Sequence, residues 1–173
     1  TDTAADVVLY TTKGDGGAAG ADSAGDSVTG FVSTSDKIKI DGALALLLDD
    51  IGTSNTTLAS PTQDGDNTAA QAVNVTTTSE MVFLDTSNIG TLTKANLDDV
   101  SVVATALEIQ VTLTAAEGDD ALLVLESSNI AGSFGIFYYP ETGTTANQFD
   151  AADLTVLGIV TGDDVVAADI ITT

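Results

Sequence analysis

Apolar residues occur in short runs along this chain, and clusters of Gly, Asp, Asn, Ser and Thr separate the runs. Short runs rich in Val, Ile, Thr, Tyr and Phe and bounded by turn residues are typical of β-strands, whereas helices need longer periodic segments. The pattern predicts strands at 7–11, 28–32, 37–40, 73–77, 81–84, 109–114, 121–126, 134–139 and 154–160. We therefore expect a mostly β fold, an antiparallel β-sandwich or a β-roll-like domain, with one or two short helices.

Two segments depart from the strand pattern and predict these helices. Asp41 is placed to cap a short helix in "GALALLLDD" that ends before Gly52. Thr93 is placed to cap a longer helix near 94–107. One face of this second helix would carry Leu97, Val100, Ala104 and Leu107.

Residues 53–72 form the most polar and least periodic stretch of the chain, with Pro61 and the turn sequence "QDGDN" inside it. Such a stretch predicts a long loop or a boundary between subdomains. The chain thus divides into a strand-and-turn region at 1–52, a polar loop at 53–72 and a β-rich carboxy-terminal region at 73–173. With 173 residues, 43% of them apolar, we expect one compact domain overall.

The formal net charge is −22, because 26 acidic residues stand against four lysines and no arginine. A surface of this kind repels phosphate groups, so we expect neither nucleic acid nor an anionic membrane surface as a partner. The longest purely apolar run, 43–48, is far shorter than the roughly 20 residues of a membrane-spanning helix. Membrane insertion is therefore not expected.

The residue types that most enzymes use are missing. The chain has no His, Cys, Arg or Trp, so it cannot form a Ser/His or Cys/His nucleophile, an imidazole or thiolate metal site, or an arginine clamp on phosphate. The glycine-rich segment "GDGGAAGADSAG" lacks the lysine and the helix-opening pattern of a phosphate loop. We predict that the chain is not an enzyme.

Oxygen ligands are the chemistry that remains, since 21 of the 26 acidic residues are Asp. Ca²⁺ takes six to eight carboxylate, carbonyl or water oxygens, and short Asp-rich turns supply them. Candidate ligands around the first two strands are Asp15, Asp22, Asp26 and Asp36, and a second group is Asp64 and Asp66. The alternative is that these carboxylates are solvated turn residues. The sequence predicts calcium as the cofactor, with calcium raising the stability of the fold.

The segments "ADVVLY" and "AGDSVTGFVSTSDKIKI" resemble the C-terminal region of bacterial repeat-in-toxin proteins, which are exported by type I secretion. The similarity covers roughly residues 5–42, with Lys39 in place of an acidic residue. The matching positions are Asp26, Phe31, Asp36, Lys37, Ile38 and Ile40.

A second resemblance covers about residues 80–173. The blocks "MVFLDTSNIGTL", "GDDALLVLES", "GSFGIFYYPETG", "FDAADLTVLGIVTG" and "ADIIT" look like the tail of secreted bacterial calcium-binding and surface-layer proteins, in the same order. The two resemblances together imply an extracellular or cell-surface protein of a Gram-negative bacterium, with an uncleaved carboxy-terminal export signal.

Two functions agree with these features. One is a structural protein that self-assembles with its own copies into a surface layer or filament, with calcium neutralising its acidic interfaces; the other is the calcium-binding secretion tail of a longer hydrolase, protease or adhesin. We favour the first, because the tail function does not require the additional β structure. Aromatic residues at 134–139 are expected in a core strand; the alternative, an exposed sugar-stacking platform, would add cell-surface polysaccharide as a partner.

The first strand offers a route to assembly. "ADVVLY" lies close to Thr1, which we expect to be a processed end or a cut from a longer polypeptide. The strand can complete the sheet of its own chain, which is the expectation that needs no partner, or it can be donated to the sheet edge of another copy.

Overall fold

The computed structural model describes residues 4–22, 25–48, 62–63, 71–75, 81–84, 92–128, 131–142 and 147–172. Its strands are β1 Val7–Tyr10, β2 Asp26–Phe31, β3 Lys37–Ile40, β4 Thr62–Gln63, β5 Gln71–Asn74, β6 Met81–Leu84, β7 Val111–Thr114, β8 Asp120–Glu126, β9 Ser133–Pro140, β10 Thr155–Gly162 and β11 Ile170–Thr172. The α-helices are α1 Gly42–Leu47 and α2 Val100–Gln110, and 3₁₀ turns lie at Lys94–Asn96 and Ala167–Asp169. The mostly β prediction is confirmed.

The strands form a six-stranded sheet in the order β2-β10-β9-β8-β6-β4, a three-stranded sheet β1-β3-β11 and a two-stranded sheet β5-β7. Strand direction differs from the antiparallel expectation. Among the described strands, only the pairs β8–β9 and β9–β10 are antiparallel, and the other pairs are parallel. The reason is connectivity: parallel neighbours need crossover connections, and the link from β6 to β8 runs through α2 and β7.

The six-stranded sheet is the middle layer, and both of its faces are covered. One core contains side chains of α2, β5 and β7, and the other contains side chains of α1, β1, β3 and β11. Strands between two cores lose the polar–apolar alternation, which explains the continuous apolar sequences of β8 and β9. Phe134, Phe137, Tyr138 and Tyr139 are all buried, so these aromatic rings belong to the core and form no exposed sugar platform.

Both predicted helices form, with one change. Asp41 caps α1 through its carboxylate, as expected. The expected helix 94–107 is split into the 3₁₀ turn and α2, and α2 extends to Gln110 into the predicted strand 109–114. Asp99 causes the split, because its carboxylate accepts hydrogen bonds from the N–H groups of Ser101 and Val102 and so begins a new helix.

The amino-terminal and carboxy-terminal regions share two sheets. β2 pairs with β10, and β3 lies between β1 and β11, so strands from 1–52 and 73–173 are hydrogen-bonded to one another. Of the polar stretch 53–72, only Thr62–Gln63 and the beginning of β5 lie within the described residues. Neither of the described helices is long and apolar enough to cross a membrane.

Candidate functional site

Asp15 binds its own loop. Its Oδ2 atom accepts hydrogen bonds from the N–H groups of Thr11 (2.5 Å) and Thr12 (3.0 Å), and the hydroxyl groups of both threonines donate to the same carboxylate. These donors favour the charged form, so they lower the pKa of Asp15 from its ordinary 3.8 to about 2. The carboxylate therefore closes the turn that follows β1.

The hydrogen bonds to Asp15 predict that the stability of the fold depends on pH in the acidic range. Because the pKa of Asp15 is lowered in the folded chain, its stabilisation is present above pH 3.8 and is lost as the pH falls through about 2. The effect is small, since the group is exposed. We expect the difference in thermal midpoint between wild type and Asp15→Asn to shrink as the pH falls from about 5 to about 2. A difference that stays constant over this range would contradict the assignment.

Asp22 and Asp36 also bind main-chain groups. Asp22 accepts a hydrogen bond from the N–H of Val100 at 3.1 Å, so it joins the glycine-rich loop to the first turn of α2. Asp36 is buried and accepts from the N–H groups of Asp6 (3.1 Å) and Val32 (2.8 Å), which ties the ends of β1 and β2 together. Both carboxylates replace missing main-chain partners.

Asp26 lies at the exposed start of β2, on a cleft of about 240 Å³ that Lys94 and Asp98 also line. The predicted ligands Asp15, Asp22, Asp26 and Asp36 thus do not converge on one point, and the described residues contain no group of three or more carboxylates able to hold a metal ion. Asp64 and Asp66 lie outside the described residues. Calcium binding stays a prediction from the sequence.

Tyr10 carries an unusual hydroxyl group at the end of β1. The side chain is fully buried, and its hydroxyl has no hydrogen-bond partner in the described part of the chain. Burial, with smaller contributions from the carboxylates of Asp26 and Asp15, raises the pKa of Tyr10 well above its usual 10. The phenol therefore stays neutral and acts as a core side chain against Gly158.

Two further tyrosines donate to buried carboxylates. Tyr138 donates to Asp120, and Tyr139 donates to Glu141 at 2.8 Å. Burial and the hydrogen bond to Glu141 raise the pKa of Tyr139 above its usual 10. These pairs satisfy polar groups inside the two cores, which is a structural role.

The outer face of the three-stranded sheet is the most apolar exposed surface among the described strands. Val7 is 57% exposed, Leu9 is 49% exposed and Ile171 is 36% exposed, and the register places Lys37 beside Val7 and Lys39 beside Leu9 and Ile171. Two of the four lysines of the chain therefore lie on this face. We call it the outer face: Val7, Leu9, Lys37, Lys39 and Ile171.

Each lysine of the outer face has an acidic partner. Lys37 Nζ lies 2.8 Å from Asp169 Oδ1, and Lys39 Nζ lies 3.0 Å from Asp41 Oδ2. The outer face is thus close to neutral, on a chain whose formal net charge is −22.

β1 forms one edge of its sheet, because within the described residues only β3 pairs with it. The carbonyls of Asp6 and Tyr10 accept from β3 and from Asp41, each at 2.9 Å. Residues of a parallel strand alternate between facing the neighbour and turning away from it. The N–H and C=O groups of Val7 and Leu9 therefore point to the open edge, which we call the β1 edge.

The edge strand β2 of the six-stranded sheet differs from β1. Its pairing with β10 shifts between Thr29 and Phe31, and Gly30 adopts φ +76°, so a bulge interrupts the strand. A bulge and exposed polar residues hinder strand addition. Between the β1 edge and β2 lies a cleft of about 460 Å³ with Val8, Val28 and Phe31 among its lining residues, which we call the β1–β2 cleft.

Comparison with protein-family models, with curated proteins and with solved structures finds no match. The resemblance to repeat-in-toxin tails and surface-layer proteins therefore stays a prediction from the quoted motifs.

The sequence predicted β1 as a route to assembly, which stays a prediction, but the outer face was not predicted. The signal was present in "VVLY" and "KIKI": the first has apolar residues on both sides of the strand, and the second alternates lysine with isoleucine. What the sequence could not show is that both strands lie side by side in one sheet.

Proposed function

We propose that this chain is an extracellular structural protein that assembles with copies of itself into a filament or a layer. The β1 edge supports the proposal most directly, since it combines main-chain groups that no described strand pairs with and two exposed apolar side chains, Val7 and Leu9. Open strand edges of this kind pair readily with another chain, and natural proteins that stay monomeric usually block them. The bulge in β2 is such a block, and β1 has no bulge in the described part of the chain.

Propagation needs a second contact surface on each copy. Among the described strands, β11 is the other edge of the same three-stranded sheet, and Ile171 on it is also exposed. A sheet with two edges allows each copy two neighbours, which is the requirement for a filament.

Charge decides the conditions for assembly. Two copies with a net charge of −22 each repel one another, and the near-neutral outer face is where they approach at the lowest electrostatic cost. Added salt screens the remaining repulsion, since the Debye length falls to about 8 Å at physiological ionic strength. Calcium would add to this by neutralising carboxylates.

We expect the full chain to sediment as large species, and to form regular assemblies by electron microscopy, as protein and salt concentrations rise. The double variant Val7→Lys/Leu9→Lys should remove these species, because charges on an edge strand oppose strand addition. The control is Ile109→Lys, which adds one positive charge at an apolar residue of α2 that is 64% exposed.

A wild-type chain that stays monomeric at high concentration, salt and calcium would overturn the proposal. A monomer that binds calcium and gains stability from it would instead favour the secretion-tail function. If the Val7→Lys/Leu9→Lys variant still assembles, β1 does not form the contact.

A further inference from the structure

We infer that the β1 edge takes the β1 edge of a second copy, antiparallel and across a two-fold axis, so that two three-stranded sheets join into one. This inference rests on the proposed self-assembly and specifies one of its contacts. The three-stranded sheet would then continue without interruption from one copy to the next.

The main chain limits the registers that this contact can take. The outward N–H and C=O groups belong to Val7 and Leu9, and in an antiparallel ladder the residues with outward groups form the hydrogen-bonded pairs. The register that pairs both residues with each other places Val7 opposite Leu9 of the second copy, and Leu9 opposite its Val7. The two-fold axis passes beside Val8, which faces Val8 of the second copy as a non-hydrogen-bonded pair.

Side chains on the outer face favour the same register. Val7 and Leu9 of one copy would cover Leu9 and Val7 of the other, so the exposed apolar side chains meet in pairs. On the outer face each apolar pair lies between Lys37 of one copy and Lys39 of the other, and both lysines keep their own acidic partners. The contact therefore brings no unpaired lysine charges together.

The β1–β2 cleft provides space on the inner face of the edge. Val8 is half-buried and lines this cleft together with Val28 and Phe31, so Val8 of the second copy would contact an apolar wall. Asp6 and Asp163 also line the cleft. Bringing these carboxylates together from two copies opposes the contact, which makes it dependent on ionic strength.

A second copy is the occupant that these observations favour over a foreign extended segment. The register is self-complementary, because the same two residues supply both the main-chain groups and the apolar side chains on each side, as a two-fold contact requires.

Cysteine substitution tests the geometry, because the chain contains no cysteine. In the proposed register the Cα atoms of the two Val8 residues are about 4.5 Å apart, within the range of a disulfide, whereas the two Val7 residues are about 8 Å apart and beyond it. Val8→Cys, treated with oxidised glutathione at high salt, should become a covalent dimer. Val7→Cys alone should not, but a mixture of Val7→Cys and Leu9→Cys chains should cross-link with each other. Ile109→Cys gives the background from random collision.

The outcomes separate this inference from the proposed function. Efficient cross-linking of Val8→Cys, well above Ile109→Cys and rising with salt, supports the two-fold contact. Assembly of wild type without Val8→Cys cross-linking overturns the two-fold contact while self-assembly stands, as expected for a head-to-tail contact with β11. Cross-linking by Val7→Cys alone at the same efficiency overturns the register. Absence of both assembly and cross-linking overturns both proposals.

Discussion

Replacing Asp169 with alanine is expected to lower the free energy of unfolding by about 3 kcal/mol. Asp169 is 1% exposed, and its carboxylate accepts hydrogen bonds from Lys37 Nζ (2.8 Å) and Ser33 Oγ (2.6 Å), and also from the N–H of Val166. Removing one member of a buried ion pair leaves the other charge and its donors without a partner, which costs about 3 to 5 kcal/mol. We expect the lower value, because the Lys37 side chain is 30% exposed and water can reach its ammonium group.

Urea denaturation of the purified variant would measure this loss. The matched control is Lys39→Gln, which breaks the second ion pair of the outer face. Both members of that pair are partly exposed, so we expect a change of no more than about 1 kcal/mol. Equal effects of the two substitutions would contradict the distinction between a buried and an exposed pair.

The strands were the part of the fold that the sequence predicted well. Their apolar runs and bounding turn residues act over a few neighbours, so β3 and β6 begin and end as expected. The pairing of the strands depends on contacts between distant segments, and local pattern carries no information on it. β3 lies between β1 and β11, for example, and its partner β11 is more than a hundred residues away in the chain.

The acidic residues also show what the local sequence cannot predict. Their number and turn positions predicted calcium ligands, but the short side chain of Asp also suits it to replace missing main-chain partners. Whether an Asp binds calcium or a main-chain group depends on the groups that lie near it in space. Asp22 accepts a hydrogen bond from the N–H of Val100 in the first turn of α2, 78 positions away in the chain. Asp36 accepts from Asp6, 30 positions away beside β1, and from Val32, four positions away beside β2.

The second large expected effect is a loss of stability when Gly158, which lies against Tyr10, is replaced with alanine. A Cβ atom at position 158 would lie 2.2 Å from the Tyr10 hydroxyl oxygen, far inside van der Waals contact, and the tyrosine is fully buried, so relieving the clash requires its core neighbours to shift. Gly158→Ala should therefore lower the free energy of unfolding by about 3 kcal/mol, the upper end of the usual cost of overpacking. Gly14→Ala is the control, because the nearest atom to its new Cβ is 3.8 Å away. Its effect should stay within about 0.5 kcal/mol.

Tyr10→Phe identifies the hydroxyl as the cause of that loss. The hydroxyl has no partner among the described residues, so its removal breaks no hydrogen bond, and the single variant should equal or slightly exceed the wild type in stability. In the double variant Tyr10→Phe/Gly158→Ala the nearest ring atom is 3.4 Å from the new Cβ and the Asp26 carbonyl oxygen is 3.3 Å from it, so only a small shift is needed. We expect the double variant to recover most of the stability lost by Gly158→Ala, with a coupling energy of about 2 kcal/mol in the double-mutant cycle. Additive effects in urea denaturation would show that the hydroxyl does not occupy this position against β10.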